Sequence, residues 1–182
     1  MAKVDPIRDL NLLKDILNNL RETNMRNYIM FSMGVHTGLR ISDILTFKIG
    51  DVLNRDKVII KEKKTQKPKE FSLNKRLQKD IKEYAAGKYN AEYLIKSRTG
   101  FNSPITRNQA YQIIQNVSKE FKIENVGTHT LRKTFAYHYY MKTKDIAELQ
   151  TILNHANQAD TLMYIGILQE KINKNTSDFD LF

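Results

Sequence analysis

The string Gly-Thr-His-Thr-Leu-Arg-Lys places His129 three residues before Arg132, at the predicted start of a helix. Residues three apart share one face of a helix, so an imidazole and a guanidinium there can address the same anion. The N-terminus of the helix adds partial positive charge at the same place. The spacing therefore indicates an anion site, and a solvent-exposed His–Arg pair is the alternative interpretation.

A second basic residue, Arg40, follows a glycine in the string Thr-Gly-Leu-Arg-Ile-Ser-Asp. Gly38 permits a sharp turn, and Asp43 can orient the guanidinium of Arg40 while its fork faces a phosphate. We predict that Ser42 caps the helix that follows. An Arg40–Asp43 ion pair that only braces the start of this helix is the alternative.

A third segment carries His155 after Leu-Asn, and Tyr164 follows nine residues later. A tyrosine hydroxyl can act as an oxygen nucleophile. The chain has nine tyrosines, however, and most tyrosines pack with their hydroxyl hydrogen-bonded. The absence of cysteine excludes a thiolate metal site and a cysteine nucleophile. Few carboxylates lie near the four histidines in the sequence, so we expect no metal site.

The formal net charge of the 182 residues is +10, from 30 Lys and Arg against 20 Asp and Glu. Residues 57–82 contain ten of the basic residues and only three acidic ones. Clustered cations of this kind are typical of nucleic-acid binding, because they release counterions from a polyanion. A solvated basic surface is the alternative interpretation.

Helical periodicity dominates the chain, and its expected starts carry capping residues. We predict a first helix capped by Asp5 with Pro6 at its first position. Later helices are expected after Asn74 and Thr106, and over residues 130–141 and 145–153. Alternating patterns predict two short strands over residues 57–60 and 69–73, joined by a basic turn, and a third at 93–95.

These elements predict an α+β fold that is mainly α-helical with a small antiparallel β-sheet. No Gly- or Pro-rich linker divides the sequence, so we expect one domain over residues 1–182, with residues 165–182 as a C-terminal tail. No apolar run is long enough for a membrane span, and the N-terminus lacks the apolar stretch of a signal peptide. We therefore expect a cytoplasmic protein without membrane contact.

Taken in order, these segments resemble the catalytic domain of the tyrosine recombinase family, which includes phage integrases and Xer-like proteins. The family pattern is an arginine in Thr-Gly-Leu-Arg, a lysine in a β-hairpin, His-x-x-Arg, Leu-Gly-His and a nucleophilic tyrosine. The matching residues here are Arg40, Lys64, His129, Arg132, His155 and Tyr164, with Asp43 at the family's acidic position. The resemblance extends from about Asp5 to Tyr164.

The chain departs from the family pattern in two ways. Asn154 stands where the family has a glycine, and asparagine tolerates the left-handed conformation that a helix end needs there. The family's N-terminal helical domain, which holds the other face of the DNA, has no counterpart before Asp5. The resemblance therefore implies a catalytic domain alone.

The resemblance implies a role for each matched residue. Tyr164 would attack the scissile phosphate, leaving a 3′-phosphotyrosyl link and a free 5′-hydroxyl. Arg40 and Arg132 would hold the non-bridging oxygens of that phosphate. His129 would accept or relay a proton, and His155 would hydrogen-bond the phosphate. Neither a metal ion nor a nucleotide cofactor would be required.

The resemblance also implies roles for the lysines of the predicted hairpin. The resemblance assigns Lys64 as the acid that protonates the leaving oxygen, and it lies nine residues before Leu73, as the family tends to show. Strand alternation leaves Lys63 and Lys67 as alternatives for this acid. Backbone phosphates of DNA would be contacted by four lysines of the hairpin, two of which are the alternatives just named: Lys61, Lys63, Lys67 and Lys69.

The resemblance implies a site-specific recombinase or integrase that cleaves and rejoins DNA strands without a metal ion. Its partners would be double-stranded DNA, further copies of the chain in a homotetramer on DNA, and accessory DNA-bending proteins. The tail, with Ile167, Leu168 and Ile172, would dock on a neighbouring protomer or pack on its own domain. The alternatives are a catalytically silent DNA-binding module and a nicking-closing enzyme similar to type IB topoisomerases.

Overall fold

The computed structural model describes residues 4–61, 68–167 and 175–180. These residues form mainly helices and one two-stranded antiparallel sheet, which confirms the predicted fold class. The helices are α1 Leu10–Thr23, α2 Met25–Thr37, α3 Ile41–Ile44, α4 Ile49–Val52, α5 Lys75–Ala85, α6 Arg107–Glu120, α7 Thr130–Thr143, α8 Ile146–Leu153 and α9 Gln158–Ile165. The strands are β1 Lys57–Lys61 and β2 Pro68–Ser72.

The first helix begins later than predicted. Asp9, not Asp5, is its N-cap, because the Asp9 carboxylate accepts the backbone N–H groups of Asn11 and Leu12. The segment before it is held by long-range contacts: the Asp5 N–H donates to the carbonyl of Asn125 at 2.8 Å. The predicted caps at Asn74 and Thr106 are confirmed, since each side chain accepts a backbone N–H of its helix.

Helix α2 lies in the main hydrophobic core, where it packs against α1, α5 and α7. Eight of its 13 residues are buried. Gly34 allows α7 to come close, because a Cβ at this position would lie 2.7 Å from the Cβ of Leu131. The first turn of α7, which carries Arg132, is therefore fixed against the middle of the core.

A second, smaller hydrophobic cluster joins α7, α8 and α9. Its buried members are Ala136, Leu149, Leu153, Ile165 and Ile167. Because all three helices contribute to it, this cluster fixes the relative positions of the segments that carry the candidate site residues. Ile165 and Ile167 show that the beginning of the tail packs on its own chain, whereas Leu168 and Ile172 lie outside the described residues.

The two strands pair in the register Val58 with Phe71 and Ile60 with Lys69. Val58, Ile60 and Phe71 face the core. The strand predicted at residues 93–95 was wrong: Tyr93 makes only an isolated bridge to Lys48. Pairing stops there because the chain after Lys48 turns directly into α4.

None of the helices described here combines the length and the apolar character that crossing a bilayer requires.

Candidate active site

A tight turn between α2 and α3 positions Arg40. Gly38 ends α2 in the left-handed region, at φ 65° and ψ 15°, and a Cβ there would overlap the ring of Phe135. Arg40 is the N-cap of α3, since its carbonyl accepts the N–H groups of Asp43 and Ile44. The helix thus begins before Ser42, and the predicted cap at Ser42 was wrong.

The Arg40 side chain is 16% exposed and faces a buried carboxylate. One of its terminal nitrogens lies 3.9 Å from an Asp43 carboxylate oxygen, and the Asp43 side chain is fully buried. A guanidinium beside a buried carboxylate keeps a restricted orientation. This is the arrangement that the sequence spacing indicated.

Arg132 is almost completely buried, with 2% of the residue exposed. Its guanidinium donates to the carbonyl oxygen of Gly38 at 2.6 Å and to that of Leu153 at 2.7 Å. A planar fork with fixed donors suits such a double contact better than an ammonium group would. Arg132 therefore links the turn that carries Arg40 to the end of α8.

Asn154 ends α8 in the left-handed region, at φ 53° and ψ 48°. Asparagine adopts this conformation more readily than other residues with a side chain. The replacement of the family's glycine therefore leaves the turn intact, as expected. The next residue, His155, is half-buried and lies two residues after Leu153, whose carbonyl accepts from Arg132.

His155 is held by a helix and by an aromatic contact. Its Nδ1 lies 3.1 Å from the hydroxyl oxygen of Thr161. Its ring meets the ring of Tyr164 edge to face, with centroids 5.0 Å apart and an interplanar angle of 77°. Burial lowers the pKa of His155, and the nearby positive charges of Arg132 and Arg40 lower it further, whereas Asp160 opposes them.

His129 is the N-cap of α7, and its side chain makes no capping hydrogen bond. The imidazole is therefore not used by the helix end itself. Burial is the main cause that lowers the pKa of His129. Nearby positive charges lower it further; in order of size they are those of Arg132, Arg107, Arg40 and Lys133. A depressed pKa keeps the imidazole neutral near pH 7, which leaves a lone pair able to accept a proton.

Tyr164 lies in α9 with its hydroxyl buried, and no hydrogen bond of good geometry reaches that hydroxyl from the described residues. Burial raises the pKa of Tyr164, whereas the positive charge of Arg132, hydrogen bonding to its guanidinium and the positive charge of Arg40 lower it. Lys133 also lies nearby, with its ammonium nitrogen 5.0 Å from the centroid of the ring. A buried phenol beside several cations is a feature typical of a functional site.

The two arginines act on the same three groups. Arg40 and Arg132 each shift the pKa of both histidines and of the tyrosine; the three are His129, His155 and Tyr164. The hydrogen bonds of Arg132 place it beside the segments that carry Arg40 and His155, and the ring of His155 contacts that of Tyr164. The described residues contain no cluster of three or more potential metal ligands among His, Asp and Glu. The arrangement is suited to binding a single anion against a tyrosine hydroxyl.

Comparison with known sequences identifies the family. The sequence model of the phage integrase family matches residues 9–171 of this chain. The chain belongs to the phage integrase family. It is thus a tyrosine-type DNA recombinase by family. The probable integrase/recombinase YoeC of Bacillus subtilis is 45% identical over 168 residues, which cover 92% of this integrase-family chain and 92% of YoeC.

Two solved structures share the fold. The crystal structure of XerA recombinase matches with a TM-score of 0.76 and 21% identity, covering 98% of this chain and 65% of XerA. The second structure is the XerH site-specific recombinase in a pre-cleavage complex with its difH substrate. It matches with a TM-score of 0.72 and 22% identity, covering 96% of this chain and 55% of XerH. They confirm the predicted recombinase fold, and this integrase-family chain spans about half to two thirds of their lengths.

The hairpin lysines of this integrase-family chain fall into two groups. Lys63, Lys64 and Lys67 lie outside the described residues, so their predicted roles stay predictions. Lys61 ends β1 with its side chain exposed. Lys69 differs, because its ammonium group donates to the carbonyl oxygen of Ile152 at 2.6 Å.

Two contacts of the site were not found from the sequence. Thr161 supports His155, and its position three residues before Tyr164 on α9 is a spacing that could have shown it. Lys133 approaches the Tyr164 ring across two helices. Nothing in the local sequence indicates that contact, because it depends on how α7 and α9 pack.

Proposed function

We propose that this chain cleaves and rejoins double-stranded DNA through a transient 3′-phosphotyrosyl link on Tyr164, without a metal ion. The observation that carries the proposal is the pair of hydrogen bonds by which Arg132 joins the turn before Arg40 to the segment before His155, whose ring packs on that of Tyr164. A phosphodiester in this pocket would meet two guanidinium groups and a nucleophile at once. The family membership supports the same reaction class.

The chemistry of Tyr164 explains why it needs this environment. A phenol with a pKa near 10 is ionised only to about one part in a thousand at pH 7, a deficit of roughly 4 kcal/mol. Burial raises the pKa of Tyr164 further. The phenol is therefore protonated in the free protein, and attack requires that a neighbour accept its proton as the bond to phosphorus forms.

A neutral histidine supplies such an acceptor. His129, with its lowered pKa, is assigned as the group that accepts or relays the proton. Arg40 and Arg132 stabilise the negative charge that develops on the non-bridging oxygens. The hairpin lysine, Lys64, is assigned to protonate the leaving 5′-oxygen, with Lys63 and Lys67 as the alternatives.

The tautomer of His155 follows from its hydrogen bonds. The hydroxyl of Thr161 has one proton, which it donates to the carbonyl of Asn157 at 3.2 Å. With this proton on the side of Asn157, we assign the Thr161 oxygen as the acceptor from Nδ1 of His155, which leaves Nε2 of the neutral ring without a proton. To donate a hydrogen bond to a phosphate, as the family pattern assigns, His155 must take up a proton when the phosphate arrives.

The proposal extends to the partners of the chain. XerH was solved with its difH substrate, and we assign the exposed Lys61 on β1 to a backbone phosphate of double-stranded DNA. A homotetramer on DNA, with accessory DNA-bending proteins, is the proposed assembly. We further propose that residues 1–182 act as one catalytic domain.

A nicked suicide substrate tests the reaction. The wild-type chain should give a covalent protein–DNA band on a denaturing gel, in the presence of EDTA, and Tyr164→Phe should give none. Tyr140→Phe is the matched control, since Tyr140 packs on the same small cluster as Tyr164. DNA binding without any band contradicts the proposal and favours the silent module. Strand exchange between two duplexes distinguishes a recombinase from a nicking-closing enzyme.

A further inference from the structure

Lys69 faces inwards from the hairpin, in contrast to the exposed Lys61. Strand alternation places it on the same side of β2 as the buried Phe71, and the register pairs it with the buried Ile60. Lys69 is half-buried on this inner face. A buried ammonium group requires a hydrogen-bond acceptor, and Lys69 finds one in the carbonyl of Ile152, 83 residues away in the sequence.

This contact completes the end of α8. The last four carbonyls of a helix lack partners within it. Here the N–H of Asn154 donates to the carbonyl oxygens of Gln150 and Thr151, and the guanidinium of Arg132 donates to the carbonyl oxygen of Leu153. Lys69 supplies the donor for the remaining one, Ile152. Two cations thus hold the negative end of the helix dipole, directly before His155.

The described part of the hairpin and α8 face each other across an open space beside this contact. A cavity of about 580 Å³ opens between them, lined by β2 on one side and by Thr151, Ile152 and Asn154 on the other. Lys69 lines the same cavity. Its hydrogen bond therefore connects two elements that are separated here by open space rather than by packed side chains.

We propose that Lys69 is a positioning residue that ties the described part of the β1–β2 hairpin to the end of α8, and so fixes the segment that leads into His155. This proposal rests on the proposed function. The hairpin would bring the acid for the leaving oxygen, while α8 leads into His155 and is bonded to Arg132. The Lys69–Ile152 hydrogen bond makes the two move as one unit. A direct phosphate contact, the role predicted from the sequence, is the competing outcome.

The first test separates positioning from DNA binding. Lys69→Met keeps the aliphatic stem but removes the donor, so cleavage at saturating DNA should fall about tenfold or more, since small misplacements of reacting groups are costly. DNA affinity and its salt dependence should stay unchanged. Lys69→Arg should restore cleavage, because its guanidinium can reach a carbonyl.

Lys142→Met is the matched control, because Lys142 is exposed on α7 about 15 Å along the helix from Arg132. It should cleave at the wild-type rate. A lower affinity and a salt slope smaller by about one for Lys69→Met, with an unchanged rate at saturating DNA, would identify a phosphate contact and overturn the proposal. Lys69→Gln provides a second removal variant should Lys69→Met fail to fold.

A second readout needs no DNA and therefore does not depend on the proposed reaction. The imidazole NMR signals of His155 and their titration should shift in folded Lys69→Met and return with Lys69→Arg, while Lys142→Met leaves them unchanged. If they do not move in Lys69→Met, the link between the hairpin and His155 is wrong. If they move but no variant or wild-type chain cleaves DNA, the link stands and the proposed function fails.

Discussion

The guanidinium of Arg132 donates to the carbonyl oxygen of Gly38 at 2.6 Å, across 94 residues of sequence. Gly38 ends α2 in a left-handed turn, two residues before Arg40. One candidate active-site arginine thus holds the turn that presents the other. The candidate site and the local fold therefore both depend on the side chain of Arg132. Substitutions of Arg132 and Arg40 should consequently differ in their effects on the free energy of unfolding.

We expect Arg132→Ala to lower the free energy of unfolding by about 2–4 kcal/mol, because the buried carbonyls of Gly38 and Leu153 both lose a donor. Urea unfolding measures this loss. Arg107→Ala, at an exposed position on α6, should stay within about 0.5 kcal/mol of the wild type. Arg40→Ala and Arg132→Ala should each lower single-turnover cleavage at least about a hundredfold.

A drop of only a few-fold in cleavage would remove the substituted arginine from the phosphate site. An unchanged unfolding free energy for Arg132→Ala would show that its two carbonyl contacts contribute nothing to the fold.

Tyr164→Phe should abolish the covalent link without destabilising the fold. No hydrogen bond of good geometry reaches the buried Tyr164 hydroxyl from the described residues, so its removal should leave the free energy of unfolding unchanged or raise it by up to about 1 kcal/mol. Tyr28→Phe is the matched control. The Tyr28 hydroxyl donates to Asp80 at 2.5 Å, and its loss should cost about 1–2 kcal/mol. Equal destabilisation of both variants would contradict this account.

Stability should fall as the pH is lowered from about 7 towards 5. Burial lowers the pKa values of three histidines below the ordinary 6.5; they are His36, His129 and His155. The unfolded chain therefore binds more protons than the folded one below about pH 6.5, and protonation favours unfolding. The stability that comes from keeping these histidines neutral is fully present above pH 6.5 and is lost as the pH falls through their lowered pKa values. Replacing His129 or His155 by Gln should reduce the slope, whereas a slope of opposite sign would refute the assigned pKa directions.

DNA binding should be accompanied by proton uptake at pH 7. With Nδ1 of the neutral His155 ring assigned as the donor to Thr161, Nε2 must gain a proton to donate to a phosphate. A bound phosphate also offsets the positive charges of Arg132 and Arg40 that lower the pKa of His155. Calorimetric titrations in buffers of different ionisation enthalpy measure this uptake.

His155→Gln should reduce the uptake, and Thr161→Val, which removes the acceptor for Nδ1, should alter it as well. Thr23→Val is the matched control for Thr161→Val. The Thr23 hydroxyl also donates to the carbonyl four residues earlier, that of Asn19 at 2.7 Å, but it lies at the exposed end of α1. The control should therefore leave the uptake unchanged. Proton release on binding, or an uptake that His155→Gln leaves unchanged, would contradict the assigned tautomer.

The sequence predicted much of the fold because local signals agree with tertiary contacts. Asn74 and Thr106 cap their helices through short-range hydrogen bonds, and a pattern can show these. The first helix start was wrong because two aspartates, Asp5 and Asp9, both precede an apolar repeat, and only the packing of the segment between them decides which one caps.

The site was predictable as a set of residues but not as a set of contacts. Types and spacing indicated Arg40, His129 and Arg132, and the hydrogen bond from Arg132 to Gly38 connects the helix that begins after His129 to the turn that carries Arg40. No local pattern shows that Arg132 bonds to Gly38 and Leu153, or that Lys69 turns inwards to Ile152. Such contacts depend on where α7, α8 and the hairpin meet, which only the packed core determines.

Peptide mapping of the protein after it has been trapped covalently on DNA tests the central claim most directly. After reaction with a suicide substrate and proteolysis, mass spectrometry locates the tyrosine that carries the 3′-phosphate. The account predicts a single modified residue, Tyr164, with the yield unaffected by EDTA and lost in Arg40→Ala. A phosphotyrosyl link on any other of the nine tyrosines, or DNA binding with no link at all, would contradict it.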